Sequence, residues 1–409
     1  MQRFRVRSLI VLFFSLFINF SILAQDTLRL MSYNLLNYPD PVPAGKEDTL
    51  RKILEYHPVD LLFVCELKDS IGAKKILSAA LNHSNNDYSM AKFVPAKSGG
   101  SLQQLLYFNH DKVVLYSQSE IKTGTRDINE YVLYVKNEGL ANGDTTFIDV
   151  YVCHFKASSG TENENKRTEN ATALVNHLKS KPVGRYRIVA GDFNLYSSAE
   201  TAYQLMVGGT SPLFEDPLNA PGNWHNNFTF SGICTQSTRS TQISGDGSTG
   251  GMDDRFDFIL LSPEFFSLNS EVNYVNSTYN ALGNDGSCFN KEITDCGGAP
   301  KSILNSLKYM SDHLPVVADI FIKRPITHLS RPYFKDSMLV WKDDKNQLRI
   351  RAKNEIVGYT AHIMDINGRS IFSFKIKEAS PIAYSAKLKT GEIYYLYIPE
   401  LGRGIKFLW

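Results

Sequence analysis

From Thr27 to about Ile322 the chain alternates short apolar runs with stretches whose apolar positions recur every three or four residues. The runs Leu28 to Tyr33, Leu61 to Cys65, Leu105 to Phe108, Phe147 to Cys153, Arg187 to Ala190, Phe256 to Leu261 and Val316 to Ile322 predict strands. The helical periods fall at Glu47 to Tyr56, Ile71 to Leu81, Asn163 to Leu178 and Ala199 to Met206. Strands interleaved with helices over about 300 residues predict an α/β or α+β domain. Between Phe214 and Gly251 the pattern gives way to Asn, Gly, Ser and Thr, which predicts long surface loops, a usual place for substrate contacts.

Two further segments differ in kind. Arg3, Arg5 and Arg7 precede an apolar run from Leu9 to Leu23 that ends at Ala24, so residues 1–24 read as a secretory signal peptide, with a membrane anchor as the competing reading. The run is short for a bilayer span. The mature protein is therefore expected to be soluble and secreted, extracellular or at the cell surface, and a monomer. Beyond the first region (25–324), Pro325 and Pro332 bracket an expected linker (325–332). After it, "MLVWKDDKNQLRIRA", "YTAHIMDINGRSIFSFKIK" with Asn367-Gly368 at a hairpin tip, and "EIYYLYIPELGRGIKFLW" read as paired strands of a small all-β domain over 333–409.

Charge changes the picture little. The 409 residues carry 44 Lys+Arg against 42 Asp+Glu, but residues 25–329 hold 27 against 34 and residues 330–409 hold 14 against 8. The longer region is thus net acidic, so any polyanion it binds must be held by local contacts or metal ions rather than by a global basic field. Five cysteines cannot all pair within one chain. Cys65 and Cys153 lie in strand patterns and read as buried thiols, Cys288 and Cys296 bracket a loop short enough for a disulfide, and Cys234 is left over.

The candidate chemistry stands at strand ends. Asn34 follows "LRLMSY", Glu66 follows "LLFVC", His154 follows "FIDVYVC", and Asp192 with Asn194 follows "RIVAG"; Asp257 precedes "FILL", and Asp312-His313 precedes "LPVVADIFI". Each alone reads equally well as a turn former or a hydrogen-bonded structural residue. In largely antiparallel sheets the start of one strand lies beside the end of the next, so the whole set can meet along one rim. Carboxylates with an amide suit a hard divalent cation, and two histidines suit proton transfer or contact with an oxyanion, the parts that phosphate ester hydrolysis needs. Neither the His pair of a zinc peptidase helix nor a GxSxG nucleophile elbow occurs.

In this order, "MSYNLLNY", "VCELKD", "VCHFKAS", "VAGDFNLYS", "DDRFDFILLS" and "SDHLPVV" resemble the motifs of the endonuclease/exonuclease/phosphatase superfamily, whose members include deoxyribonuclease I and the exonuclease III type apurinic endonucleases. The resemblance spans residues 27 to 322. It implies a four-layer α/β sandwich, two packed β-sheets flanked by helices, and a Mg²⁺-dependent phosphoesterase site, with Mn²⁺ or Ca²⁺ as other possible ions. It makes Glu66 the principal metal ligand, with Asn34 and Asp312 in the metal and phosphate network. Asp192 is expected to orient or deprotonate the attacking water with Asn194 holding it, His313 to be paired with Asp257, and His154 to contact phosphate. Arg126 in "GTRDINEY" resembles the family's phosphate-directed arginine, with a solvated surface arginine as its alternative. Where deoxyribonucleases give the second histidine a glutamate, this chain offers Gln103 and Gln104. Arg239 in "CTQSTR" is a further candidate phosphate contact.

The C-terminal strings "AHIMDINGRSIFSF", "GEIYYLYI" and "GIKFLW" resemble the type IX secretion sorting domain of Bacteroidetes, which implies a secretion-machinery partner; a substrate-binding β-sandwich is the alternative. The expected function is that of a secreted metal-dependent endonuclease on DNA, with RNA as a further substrate. The alternatives are a phosphoesterase acting on phospholipid head groups or inositol phosphates, and a catalytically silent surface-binding protein.

Overall fold

The computed structural model describes residues 26–409 except 41–44, 99, 137–144, 268–269, 324–337, 344–346, 353–355, 367, 380–381, 385–387 and 400–402. The expected signal segment, the expected linker and Asn367 therefore lie outside the described residues. Contacts divide the chain into two compact units, the first ending at Arg324 and the second beginning at Pro325.

The first unit contains strands β1 (Asp26–Tyr38), β2 (Leu61–Leu67), β3 (Tyr88–Met90), β4 (Gln103–Asn109), β5 (Val113–Ile121), β6 (Ile128–Val135), β7 (Phe147–His154), β8 (Tyr186–Asp192), β9 (Asp257–Leu261), β10 (Val272–Tyr274), β11 (Asn280–Ala281) and β12 (Val316–Ile322). Its helices are α1 (Lys46–Tyr56), α2 (Ser70–Lys75), α3 (Thr161–Leu178), α4 (Thr201–Val207) and α5 (Lys301–Met310). One seven-stranded sheet runs β10-β12-β1-β2-β4-β3, with β11 also on β12, and a five-stranded sheet runs β5-β6-β7-β8-β9. All seven strands expected from the sequence are present. The helix expected over 71–81 divides into α2 and a π turn at Ile76–Leu81.

Burial explains the layering. In β7, Ile148, Val150 and Val152 point into the core shared with the first sheet, whereas Tyr151 and Cys153 point to the opposite face, where Ala171, Leu174 and Leu178 of α3 cover them. The central strands β1 and β2 bury both faces, and Leu50 and Ile53 of α1, Ile76, and Leu304 and Leu307 of α5 belong to the same core. The result is the four-layer sandwich expected from the sequence, helices outside and two sheets within. Most pairings are antiparallel, but β1 with β2 and β7 with β8 are parallel. Parallel neighbours deliver their C-terminal ends to the same rim directly, which gathers the polar residues there by a shorter route than the antiparallel argument supposed.

The second unit holds β13 (Met338–Lys342), β14 (Leu348–Ala352), β15 (Thr360–Met364), β16 (Ser370–Lys375), β17 (Ile382–Tyr384), β18 (Ile393–Ile398) and β19 (Arg403–Leu408). They form sheets β13-β14-β17 and β16-β15-β18-β19 around a core that includes Ile350, Ile363 and Leu396. Gly368 lies in the turn between β15 and β16, with a positive φ of 77°. Among the described residues no helix is long and apolar enough to cross a membrane.

Candidate active site

Register places the key side chains in a row. His154 pairs with Asp192 across β7 and β8, and Asp192 pairs with Asp257 across β8 and β9. At Gly191 (φ 141°) a Cβ would lie 1.9 Å from the Cys153 carbonyl oxygen, so only glycine lets β7 and β8 close up immediately before Asp192. On the facing sheet the β1–β2 register shifts between Asn34 and Tyr38, and the β2–β4 register shifts between Val64 and Leu67. Within the second shift Glu66 takes a left-handed φ of 59°, and Asn194 beyond β8 takes 50°. Non-glycine residues held there cost about 1–3 kcal/mol each, a strain typical of functional positions.

Asn34 ties the two sheets together. Its Nδ2 donates to Glu66 Oε1 and to Asp192 Oδ2, both at 3.0 Å, and lies 3.5 Å from His313 Nε2. Its Oδ1 accepts from Leu36 N at 3.0 Å, which fixes the amide's orientation. Glu66 Oε2 accepts from Asn37 N, and Asp192 Oδ1 accepts from Asn194 N. His154 Nε2 stands 3.7 Å from Glu66 Oε1 and 3.5 Å from Asp192 Oδ2. His313 Nδ1 meets Asp257 Oδ2 at 2.7 Å, while its Nε2 lies 2.6 Å from the Gln236 amide.

The charges follow from burial and neighbours. Burial pushes Asp192 up to about 7, with Asp257 and Glu66 adding to the rise and His313 and Arg126 opposing it. Burial alone would push His313 down, but the Asp257, Asp192 and Asp312 carboxylates hold it well above the ordinary histidine value. Burial, with the positive charges of Arg126, His313 and Lys156, drives His154 well below that value, so its ring is neutral. A raised buried carboxyl beside an imidazolium is a competent acid and base pair.

Glu66, His154 and Asp192 each offer an atom within 4.8 Å of the others, close enough to share one cation. Two carboxylates fit a hard divalent ion, and Glu66 is the most open of the three, with 15% side-chain exposure against 2% for His154 and for Asp192. A second close group, Asp192, Asp257 and His313, is held by the His313–Asp257 bond through Oδ2, while Asp257 Oδ1 is buried without a hydrogen-bond partner. Of the expected ligands, Glu66 belongs to the first group. Asn34 serves it through an N–H rather than an oxygen, and Asp312 belongs to neither, its Oδ2 accepting from Ser248 N at 2.7 Å.

Two sequence expectations need correction, while the cysteine expectations hold. Arg239 is 2% exposed; its Nε donates to Lys308 O and its Nη2 to Tyr309 O at the end of α5, so it caps a helix and is not open to phosphate. Gln103 accepts from Ala96 N and Gln104 donates to Asp127 O, and neither orients His154, whose buried Nδ1 has no hydrogen-bond partner. Cys234, left over in the pairing scheme, is a buried free thiol like Cys65 and Cys153, while Cys288 and Cys296 are disulfide-bonded. Arg126 is part-buried and donates through Nη1 to Phe155 O, beside Asn194 Nδ2, so it borders the site. Gln236 and a second His–Asp pair, His225 Nδ1 to Asp254 Oδ1 at 2.7 Å, were missed. Neither lies at a strand end; the Asp253-Asp254 doublet before "RFDF" was the available signal.

The chain matches the Endonuclease/Exonuclease/phosphatase family over residues 31–313 and belongs to it. Members of this family are metal-dependent phosphoesterases, and the site just described carries acidic groups able to hold the metal. Among solved structures, the human Nocturnin catalytic domain with bound sulfate is similar at 17% identity and TM-score 0.45, covering 72% of this chain and 97% of its own. D. rerio TDP2 complexed with single strand DNA product is similar at 16% and 0.46, covering 72% and 98%. An endonuclease/exonuclease/phosphatase from Bacteroides vulgatus is similar at 14% and 0.46, covering 73% and 99%. No curated protein matches significantly.

Proposed function

We propose that the chain is a secreted, Mg²⁺-dependent phosphodiesterase that cleaves nucleic acid by in-line attack of water. The observation that carries the reading is the Asn34 amide bridging Glu66 and Asp192 beside the His313–Asp257 pair. Glu66, with Asp192 beside it, is assigned the cation, which when bound neutralises the non-bridging phosphate oxygens. Asp192, raised toward neutrality, orients and accepts a proton from the attacking water, and Asn194 N holds its other oxygen. His313, kept protonated by Asp257, donates to the phosphate oxygens. His154, neutral, donates a single hydrogen bond.

Nucleic acid is favoured over a single head group by charge beyond one phosphate. Lys156, just after β7, is pulled below its ordinary value by burial and by the positive charges of Arg126, Lys166 and Arg167. An anion longer than one phosphate relieves that crowding. Export through residues 1–24, with the C-terminal unit as a sorting domain, is part of the same proposal. A panel of DNA, RNA, sphingomyelin and inositol phosphates, each with and without EDTA, tests it. Chelator-sensitive cleavage of nucleic acid is expected; faster release of phosphocholine or inorganic phosphate would reverse the assignment.

A further inference from the structure

The flanks of the site differ in chemistry. The sheet order β6-β7-β8-β9 sets Arg126, just before β6, and Lys156, just after β7, on one side of Asp192. On the β9 side lies the 222–254 loop. There Gln236 bridges both His313 and Asp254, and Asp254 holds His225. Asp253 and Asp254 stand with His225, their ligand atoms within 4.8 Å of one another, so this flank presents carboxyl oxygens where the other presents Arg126 and Lys156.

The same acidic flank carries exposed rings. Residues 252–254 tie these parts together: Asp254 meets Gln236 and His225, Asp253 O accepts from Asn226 N, and Met252 bridges Phe289. Asn290 Nδ2 also donates to Asn226 Oδ1 at 3.2 Å, so the Phe289 segment is held against the His225 segment. Phe228 packs edge-to-face on Phe289 with ring centroids 5.6 Å apart, yet is 70% exposed, the most exposed aromatic among the described residues. Its backbone is fixed, because the Asn227 side chain accepts from Thr229 N to cap the short turn. The ring is therefore preorganised and open on one side. The Phe228–Phe289 pair, set among Asn226, Asn227 and Thr229, is poor material for insertion into a bilayer, which needs a larger apolar face.

We propose that the site binds a single strand, with phosphates on the Arg126–Lys156 flank and an unpaired base stacked on Phe228. This rests on the nucleic-acid reading above and narrows it to a substrate class. In a duplex the bases face inward, so this division of flanks suits a strand whose bases are turned out. Stacking also supplies affinity that the net-acidic region 25–329 cannot draw from counterion release.

The test compares kcat and KM on a single-stranded oligonucleotide, its blunt duplex and single-stranded versions with an abasic position scanned outward from the cut. The proteins are wild type, Phe228→Ala and, as control for loss of an exposed ring elsewhere, Tyr116→Ala. A stacked base is worth about 1–3 kcal/mol, so Phe228→Ala is expected to raise KM for the single strand about 5- to 140-fold. One abasic position should cost wild type a similar factor and the variant nothing further, while Tyr116→Ala behaves as wild type. The proposal is overturned by unchanged KM in Phe228→Ala, by a preference for duplex, or by loss of binding to phosphatidylcholine vesicles in place of any oligonucleotide effect. Wild-type hydrolysis of bis(p-nitrophenyl) phosphate, sensitive to EDTA, is measured alongside. If that hydrolysis is absent, the phosphodiesterase reading itself fails; if it is present while Phe228→Ala has no effect, only the stacking site fails.

Discussion

Replacing Asp257 by Asn removes the charge that keeps His313 protonated while leaving a side chain of the same shape. The two groups meet at 2.7 Å, with side chains 4% and 0% exposed. A hydrogen bond to a charged group contributes about 1.5–3 kcal/mol. At 1.36 kcal/mol per pKa unit, its loss lowers the His313 pKa by about one to two units. The sign follows from which form Asp257 holds. The folded pKa is raised because the carboxylates favour the imidazolium against the opposing effect of burial. Without Asp257 the proton leaves at lower pH, so the basic limb of the kcat/KM profile moves toward acid. The assay is hydrolysis of a soluble phosphodiester from pH 5 to 9.5 at saturating Mg²⁺. The variant should lose about 10- to 100-fold at pH 8 and recover part of that loss near pH 6. A uniform loss at every pH, with the basic limb unmoved, would refute the assignment of His313 as a protonated donor.

Three other substitutions probe the scaffold. Burial alone would raise Glu130, but hydrogen bonds from Lys181, Ser119 and His177 outweigh it and bring the carboxyl down to about 2. A depressed acid stabilises above its unfolded value near 4.5 and loses that contribution as pH falls toward 2. Glu130→Gln should therefore cost roughly 2–3 kcal/mol at pH 7, or roughly 4–10 °C in melting temperature by calorimetry, with the gap closing below pH 4.5. Arg239→Ala leaves the carbonyls of Lys308 and Tyr309 without their donors and should destabilise by about 2–4 kcal/mol in urea titration, with KM for oligonucleotides within about twofold of wild type. A raised KM with unchanged stability would return Arg239 to the substrate. Gly191→Ala forces a Cβ onto the Cys153 carbonyl and should lower soluble yield and melting temperature sharply; normal stability would mean that β7 and β8 tolerate a wider spacing.

Strands with one continuous apolar run were legible from sequence, because burial on both faces leaves no polar residue to break the pattern; β2 and β9 are examples. The expected list omitted β5, whose "VVLYSQSEI" buries only its two end residues, and β6, whose buried Asn129 and Glu130 are polar residues satisfied by partners far along the chain. It also omitted α5, where the ten residues "KSILNSLKYM" follow a loop and make fewer than three turns. The strand-end rule found Asn34, Glu66, His154, Asp192, Asp257 and His313, because the register brings those positions together. It failed for Arg239, whose partners are carbonyls of α5, and it was blind to Gln236 and His225, which the 222–254 loop carries to the rim. Loop geometry depends on local turns and long-range bridges that no periodicity reports.

The claim on which the rest depends is that Glu66 holds the cation that makes this rim a phosphodiesterase. The most direct measurement is the rate of bis(p-nitrophenyl) phosphate hydrolysis against free Mg²⁺ for wild type and Glu66→Gln. Wild type should show saturable activation that EDTA abolishes, and the variant should need far more Mg²⁺ or show no activity while keeping its fold by circular dichroism. Mg²⁺-independent turnover in the wild type, or identical activation curves for the two proteins, would contradict the account.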